Sequence, residues 1–320
     1  MNSIVNRLKE KKIHLKTIMP IVFFAVLIIL FTCLNSRFFS LDNFSTLLRQ
    51  SSILLIISLS ANYIILMGSI DLSVGQCVTV AGVISSLLIG KMGWAVILVG
   101  IVAGALVGFL NGSIYVFGRI PSFLTTLGTS SILAGITLII SKGTPIPLRY
   151  KWFTEIANGM VIPGIPNIFL WAIGLYLICI FLQFKTKFGR HAFAVGGGEN
   201  VAALSGVNVK LIKIIAFTFS GVISGLAGVL LASRIGSAYS NMGEPFVMEA
   251  IASVVIGGTS LSGGVGGVHR NILGVIVIAV LSNGMDVVGI HPYIQVLIKG
   301  MVIILSVIFS MDRSKLQTVK

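Results

Sequence analysis

The chain has 320 residues, 56% of them hydrophobic and only 10% charged, where soluble domains carry about 25% charged residues. Its mean hydropathy of +1.04 leaves too little polar surface to cover water-soluble cores, so most of the chain is solvated by lipid. The net charge of +14 does not point to nucleic acid: the Lys and Arg lie in loops and at the ends of apolar runs, not on a soluble face interleaved with aromatics. Membrane orientation and lipid headgroups account for them.

Apolar blocks approaching the roughly 20 residues that cross a hydrocarbon core of about 30 Å recur along the chain. They cover 18–34, 53–70, 74–90, 95–117, 123–140, 168–184, 213–232, 248–261, 272–288 and 294–310. The first follows a basic N-terminus, but Asn35, Ser36, Arg37 and Phe38 make a poor cleavage site, so it reads as a retained helix. The fifth is rich in Thr, Ser and Gly and the eighth is short, so both read as broken or re-entrant helices. The expected fold is an all-α, polytopic transmembrane bundle of about ten spans. One domain, 18–310, lies between a basic N-tail, 1–17, and a C-tail, 311–320.

Charge sets the expected orientation. Arg7, Lys9, Lys11, Lys12 and Lys16 precede the first span; Lys185, Lys187, Arg190, Lys210 and Lys213 crowd the segment about 185–212; Arg313, Lys315 and Lys320 end the chain. The positive-inside rule places all three segments in the cytoplasm. Ten spans, six of them before the second basic segment, satisfy that placement and leave 141–166 outside.

Nothing reads as a catalytic or metal site. Cys33, Cys77 and Cys179 are far apart, without a CxxC, and read as small packing residues. His14, His191, His269 and His291 are scattered, and there is no HExxH, GxSxG or Walker A motif, so no P-loop of this chain holds ATP.

Glycine is informative. Gly100, Gly104, Gly108 and Gly112 recur every four residues and make a smooth stripe for helix packing, as do Gly221, Gly225 and Gly228. The chain also echoes itself. Gly68-Ser-Ile-Asp-Leu-Ser-Val-Gly75 and Gly257-Gly-Thr-Ser-Leu-Ser-Gly-Gly264 share four of eight residues, and Asn111-Gly112 and Asn283-Gly284 each precede a proline. Transporters are often built from repeats with breaks near the midplane; chance likeness between Gly/Ser-rich breaks is the other reading. Asp71 is an acid between two apolar runs, either an N-cap with Ser73 where the third helix starts or a contact for solute or a coupling proton. Candidates for a solute path are the polar residues at breaks: Asn62, Asp71, Ser73, Asn111, Thr125, Thr126 and Asn283. Each also has a plain reading as a cap or an interhelical hydrogen bond. Glu244 and Glu249, flanking Pro245, are expected near the outer surface, solvated or facing a partner.

The segment from Phe188 to Lys213 is the sharpest local signal. A triple glycine, Gly196-Gly197-Gly198, ends one element, Glu199 or Asn200 caps a short helix over 201–205, and Gly206 stops it. Such a helix is a lever for another protein, or an ordinary surface loop.

From about Asn43 to Met311 the chain resembles the permease subunits of ribose-type ABC sugar importers. Gly68–Gly75 is similar to the family's Gly-Gly-Ile-Asp-Leu-Ser-Val-Gly signature, and Ile120-Pro-Ser-Phe-Leu-Thr-Thr-Leu-Gly128 to its Ile-Pro-Ser-Phe-Ile-Val-Thr-Leu-Gly block. Gly135 and Ser141-Lys-Gly143 continue the likeness, and Gly189–Gly206 resembles its coupling-helix segment. The chain departs at Gly198, often Asn in the family, at Ala203, often Arg, and at Ser69, where the signature has Gly. The resemblance implies a permease without covalent chemistry in the cytoplasmic (inner) membrane of a prokaryote. It would pair with a second permease, identical or related, and take a monosaccharide or small polyol from an extracytoplasmic binding protein. Cytoplasmic ATP-binding subunits, carrying the ATP and Mg, would dock on Gly196, Gly197, Gly198, Glu199, Asn200, Ala202, Ala203, Leu204, Ser205 and Gly206. Two rival readings are an ion-coupled secondary transporter, which needs paired charges between spans, and a non-transport scaffold.

Overall fold

A computed structural model describes residues 20–310; the tails 1–17 and 311–320 lie outside the described residues. Helix α1 is Pro20–Leu34. It is followed by α2 Leu41–Leu66, α3 Val74–Met92, α4 Val96–Gly118 and α5 Ser122–Ser141. Then come α6 Lys151–Asn158, α7 Asn167–Lys185, α8 Lys187–Gly197, α9 Glu199–Leu204 and α10 Val209–Ile235. The chain closes with α11 Pro245–Ile256, α12 Val268–Val288 and α13 Pro292–Ser310. Strands β1 Ile146–Pro147 and β2 Ser237–Ala238 form one short antiparallel pair.

Six helical stretches are long and apolar enough to cross a membrane, and Pro20–Leu34, Pro245–Ile256 and Pro292–Ile308 are shorter apolar helices. One of the six, Val74–Gly118, turns back at Gly93, whose φ of +54° suits glycine, and becomes α3 packed on α4. The protein is therefore an all-helical, multi-pass membrane protein.

Two sets of helix ends face opposite ways. At one end, Leu148 N–H donates to the Gly236 carbonyl at 2.9 Å, the Trp94 and Trp152 rings lie 4.4 Å apart, and Asn35 Nδ2 donates to the Val287 carbonyl at 2.9 Å. At the other, Gly264 N–H donates to the Leu66 carbonyl at 2.9 Å and Val268 N–H to Gln183 Oε1 at 2.7 Å. Segments 67–73 and 257–267 and the pair α8–α9 belong to this second end.

Helix α10 is the axis, packed by α2, α3, α4 and α6. The glycine stripe of α4 lies on it with backbone against backbone. A Cβ at Gly104 would strike the Gly221 carbonyl, one at Gly221 would strike the Gly104 carbonyl, and one at Gly225 would strike the Gly100 carbonyl. Without side chains between them, dispersion and weak Cα–H···O contacts hold the two helices.

Three elements differ from the sequence expectation. Helix α2 starts at Leu41, well before the apolar block at 53, because Ser40 caps it by accepting from Asn43 N–H at 3.2 Å and its polar first turns escape a hydropathy reading. The segment 141–166 contains α6, whose Phe153, Ile156 and Ala157 are buried. The fifth block, read as broken or re-entrant, is the unbroken 20-residue α5, long and apolar enough to cross a membrane, whereas the eighth is short as expected: the 12 residues of α11 span about 18 Å at 1.5 Å per residue, less than a crossing.

Candidate functional site

The break 67–73 between α2 and α3 is held by a hydrogen-bond network. Asp71 Oδ1 accepts from the Ser73 N–H at 2.8 Å and from the Ser73 hydroxyl at 2.6 Å. Asn111 Nδ2, from α4, donates to Ser73 Oγ at 2.7 Å. The free N–H groups of the break find α5: Ile70 donates to Ser122 Oγ and Leu72 to Thr126 Oγ1, each at 3.0 Å. Asp71, Ser73, Asn111 and Thr126 are all buried and are brought together here. Ser73 stands at the N-cap of α3 without a side-chain cap bond; Asp71, two residues earlier, holds the turn instead.

The second break, 257–267, lies against the first. The backbones of Gly263 and Gly264 pack against Gly68 and Gly196, leaving no room for a Cβ at either. Asn62 Nδ2 donates to Thr259 Oγ1 at 3.2 Å, and Thr259 Oγ1 also accepts from Gly267 N–H at 3.1 Å. The two echoing sequences thus meet in space. The echo does not extend to their asparagines: Asn111 serves the first break, whereas Asn283 exchanges amide hydrogen bonds of 2.8 and 2.9 Å with Asn43 near the opposite end. Thr125 is buried with its Oγ1 unpartnered, outside the network.

Helices α8 and α9 sit directly beneath both breaks. Gly196 touches the Leu66 carbonyl and Gly264 N–H so closely that a Cβ would not fit. The short helix runs Glu199–Leu204 with Gly198 at its N-cap and no side-chain cap bond, so neither Glu199 nor Asn200 caps it. The Glu199 carboxylate instead meets Lys213 Nζ of α10 at 2.6 Å, and the ammonium lies 4.6 Å from the Tyr115 ring centroid. Tyr115 OH is 3.2 Å from Ser69 Oγ, back in the first break. Arg119, Lys210 and Lys213 share a cleft of about 410 Å³ here with Tyr115 and Glu199. Gly206, at φ +83°, ends α9, and Val207 N–H closes onto the Ala202 carbonyl at 3.0 Å. Ala202 is buried under α9, while Val201 and Leu204 are bare, Leu204 to 91%.

One acid lies elsewhere than the sequence suggested. Glu249 is not solvated: it pairs with Lys299 of α13 at 2.7 Å, with side-chain exposures of 14% and 22%, a neutralised pair between two apolar helices. Glu244 is exposed, at the end of the turn 239–244, which folds back along α3. Gly243 N–H donates to Thr79 Oγ1 at 3.1 Å, and the Gly243 and Gly75 backbones touch. The pairing of Pro245 with an acid reads as surface in sequence, and a re-entrant turn leaves no hydropathy signal. Among the described residues, no three of His, Cys, Asp and Glu gather where they could hold a metal.

The family described as "Branched-chain amino acid transport system / permease component" matches residues 43–307. The chain is 35% identical to the ribose import permease protein RbsC of Bacillus subtilis, over 96% of this chain and 97% of that protein. It is 38% identical to the probable ABC transporter permease protein YphD of Escherichia coli, over 92% and 89% of the two chains. It is 35% identical to the galactose/methyl galactoside import permease protein MglC of Salmonella typhimurium, over 85% and 87%. No solved structure matches it.

Proposed function

The chain belongs to the permease family that matches residues 43–307, and from that premise we propose that it is the membrane-spanning subunit of an ATP-driven importer of a monosaccharide or related small polyol. Relatives that span nearly its whole length are import permeases for ribose and for galactose. The observation that carries the reading is the seat of α8–α9. A short helix with Leu204 outward is pressed through Gly196 onto both chain breaks, so a force applied to it from outside the bundle reaches the breaks directly.

In this reading Gly196–Gly206 receives a cytoplasmic ATP-binding subunit, which carries the ATP and Mg, and this chain supplies no catalytic group. The cations Lys185, Lys187, Arg190, Lys210 and Lys213 support a cytoplasmic placement of that end by the positive-inside rule. Both tails then lie inside, and ten helices cross or enter the membrane, α11 only part of the way. A second permease, identical or related, completes the channel, and an extracytoplasmic binding protein delivers the solute. The membrane is the cytoplasmic (inner) membrane of a prokaryote, in keeping with the bacterial relatives. The Glu249–Lys299 pair is the feature an ion-coupled transporter would call upon, but it does not line the cleft beside Lys213 and ties α11 to α13.

The test is affinity purification from native membranes with identification of what accompanies the chain, repeated with Ala202→Arg. A P-loop ATPase that accompanies the wild type and is lost from the variant supports the reading. A wild-type chain that carries no ATPase refutes it.

A further inference from the structure

A second cleft, of about 350 Å³, opens between α3, α5 and the turn before α11, lined by Gln76, Ser130, Ser131, Ser240, Asn241 and Glu244, with two aliphatic side chains, Ala134 and Leu138. Its depth follows from the residue next to Gln76. Cys77 Sγ lies 3.8 and 3.9 Å from the carbonyls of Gly104 and Gly221, residues near the middle of the 23-residue α4 and the 27-residue α10. The cleft therefore sits near mid-depth.

It is a built feature. The turn 239–244 is pinned to α3 by Gly243 N–H on Thr79 Oγ1 at 3.1 Å and to α5 by Thr137 Oγ1 donating to the Ser240 carbonyl at 3.4 Å. This brings Asn241 and Glu244 opposite Gln76. Gln76 is 7% exposed, and its Oε1 has no hydrogen-bond partner. A buried carbonyl left unpaired in an apolar bundle is costly and calls for a partner. Ser131 spends its hydroxyl proton on the Leu127 carbonyl at 3.2 Å, so toward the cleft its oxygen offers lone pairs. Glu244 has no salt-bridge partner among the described residues, and no Lys or Arg lines the cleft.

The chemical class follows from that set. The lining offers acceptors, including the unpaired Gln76 Oε1 and the Glu244 carboxylate, beside the amide donors of Gln76 and Asn241, so the occupant both donates and accepts. The absence of a cation, together with a carboxylate, disfavours phosphates and other anions. Two small aliphatic groups suit the C–H face of a ring. An uncharged polyhydroxylated solute meets all three conditions, and broken or half-length helices such as α11 commonly border the solute site of a transporter.

Resting on the permease reading above, we propose that this cleft is a sugar site of the translocation path, in which Gln76, Ser131 and Glu244 accept hydroxyl hydrogen bonds from the solute in transit. None of Asn62, Asp71, Ser73, Asn111, Thr125, Thr126 or Asn283 lines it.

The experiment uses the whole transporter, permease with its ATPase and binding protein, in proteoliposomes, with labelled D-ribose and D-galactose as probes. Uptake and ATP hydrolysis are followed together for the wild type, Gln76→Leu, Glu244→Gln and Ser131→Val. The expected result is at least a tenfold loss of sugar moved per ATP hydrolysed in Gln76→Leu, with hydrolysis retained and partial rescue by Gln76→Asn. Ser131→Val, an exposed position on α5, keeps the test open if Gln76→Leu fails to assemble; it is expected to raise the KM for uptake severalfold. Wild-type KM and wild-type sugar per ATP in every assembled variant would overturn the sugar site while leaving the permease reading intact. A wild-type complex that hydrolyses no ATP and moves neither sugar would instead overturn the permease reading, and this proposal with it.

Discussion

Adding one methyl group to Gly104 separates packing from helix propensity, because two other glycines serve as internal standards. Gly→Ala in a helix gains up to about 1 kcal/mol in propensity wherever it is made. At Gly128 and Gly135 of α5 the new Cβ meets open space, whereas at Gly104 it meets the Gly221 carbonyl and the Gly225 backbone. Backbone has no rotamer with which to escape, so α4 must move off α10. That forfeits dispersion along the whole stripe from Gly100 to Gly112, and overpacking of this kind costs about 1–3 kcal/mol. The assay is thermal unfolding of the detergent-purified chain, read by near-UV circular dichroism. Gly104→Ala is expected to lower Tm by several degrees, on the scale of roughly 2–4 °C per kcal/mol for domains somewhat smaller than this one. Gly128→Ala and Gly135→Ala are expected to hold Tm or raise it. Equal shifts at all three positions would refute direct backbone contact between α4 and α10.

Asp71→Asn retains an acceptor for Ser73 N–H and is expected to preserve both folding and uptake, whereas Asp71→Ala removes the turn's anchor and costs about 1–2 kcal/mol; folded but inactive Asp71→Asn would show that the charge itself serves transport. Removing one partner of the Glu249–Lys299 pair by Lys299→Met leaves a carboxylate of 14% exposure uncompensated and is expected to cost about 3–5 kcal/mol, most of it regained in Lys299→Met/Glu249→Leu; a denaturant titration that finds the double variant no better than the single would break that account. The Glu199–Lys213 contact is half open to solvent on the Glu199 side, so Glu199→Gln is expected to change stability by less than about 1 kcal/mol. Its effect belongs to uptake per ATP hydrolysed in the full complex, with recovery in the reversed pair Glu199→Lys/Lys213→Glu; wild-type coupling in the single variant would make the contact incidental.

The apolar runs were legible because lipid imposes one rule on every crossing segment, and each predicted block contains a helix. What escaped was set by groups that hydropathy averages away. The polar first turns of α2 hid its start at Leu41, and the amphipathic α6 vanished into a loop with too few apolar residues to register. The break at Asp71 was legible as a cap, but its true partners, Ser122 and Thr126 on α5, lie about 50 residues away, and no local pattern announces them. Gln76 offered a signal that was passed over: an amide alone in an apolar run is as expensive as an acid and points to function for the same reason. Glu244 offered none, since its place beside Gln76 depends on the turn at 239–244 folding back along α3.

The seam between α4 and α10 also limits how the bundle can move. Its glycines stand four residues apart, about 6 Å along the axis, and Gly104 and Gly108 each lie against a carbonyl of the facing helix with no room for a Cβ to pass. Such a seam behaves like a rack with teeth 6 Å apart: it engages at one setting and resists small sliding. Helices α4 and α10 therefore travel as one strut, and any opening of the bundle is taken up where no such backbone contact exists, as along α5, whose Gly128 and Gly135 face open space.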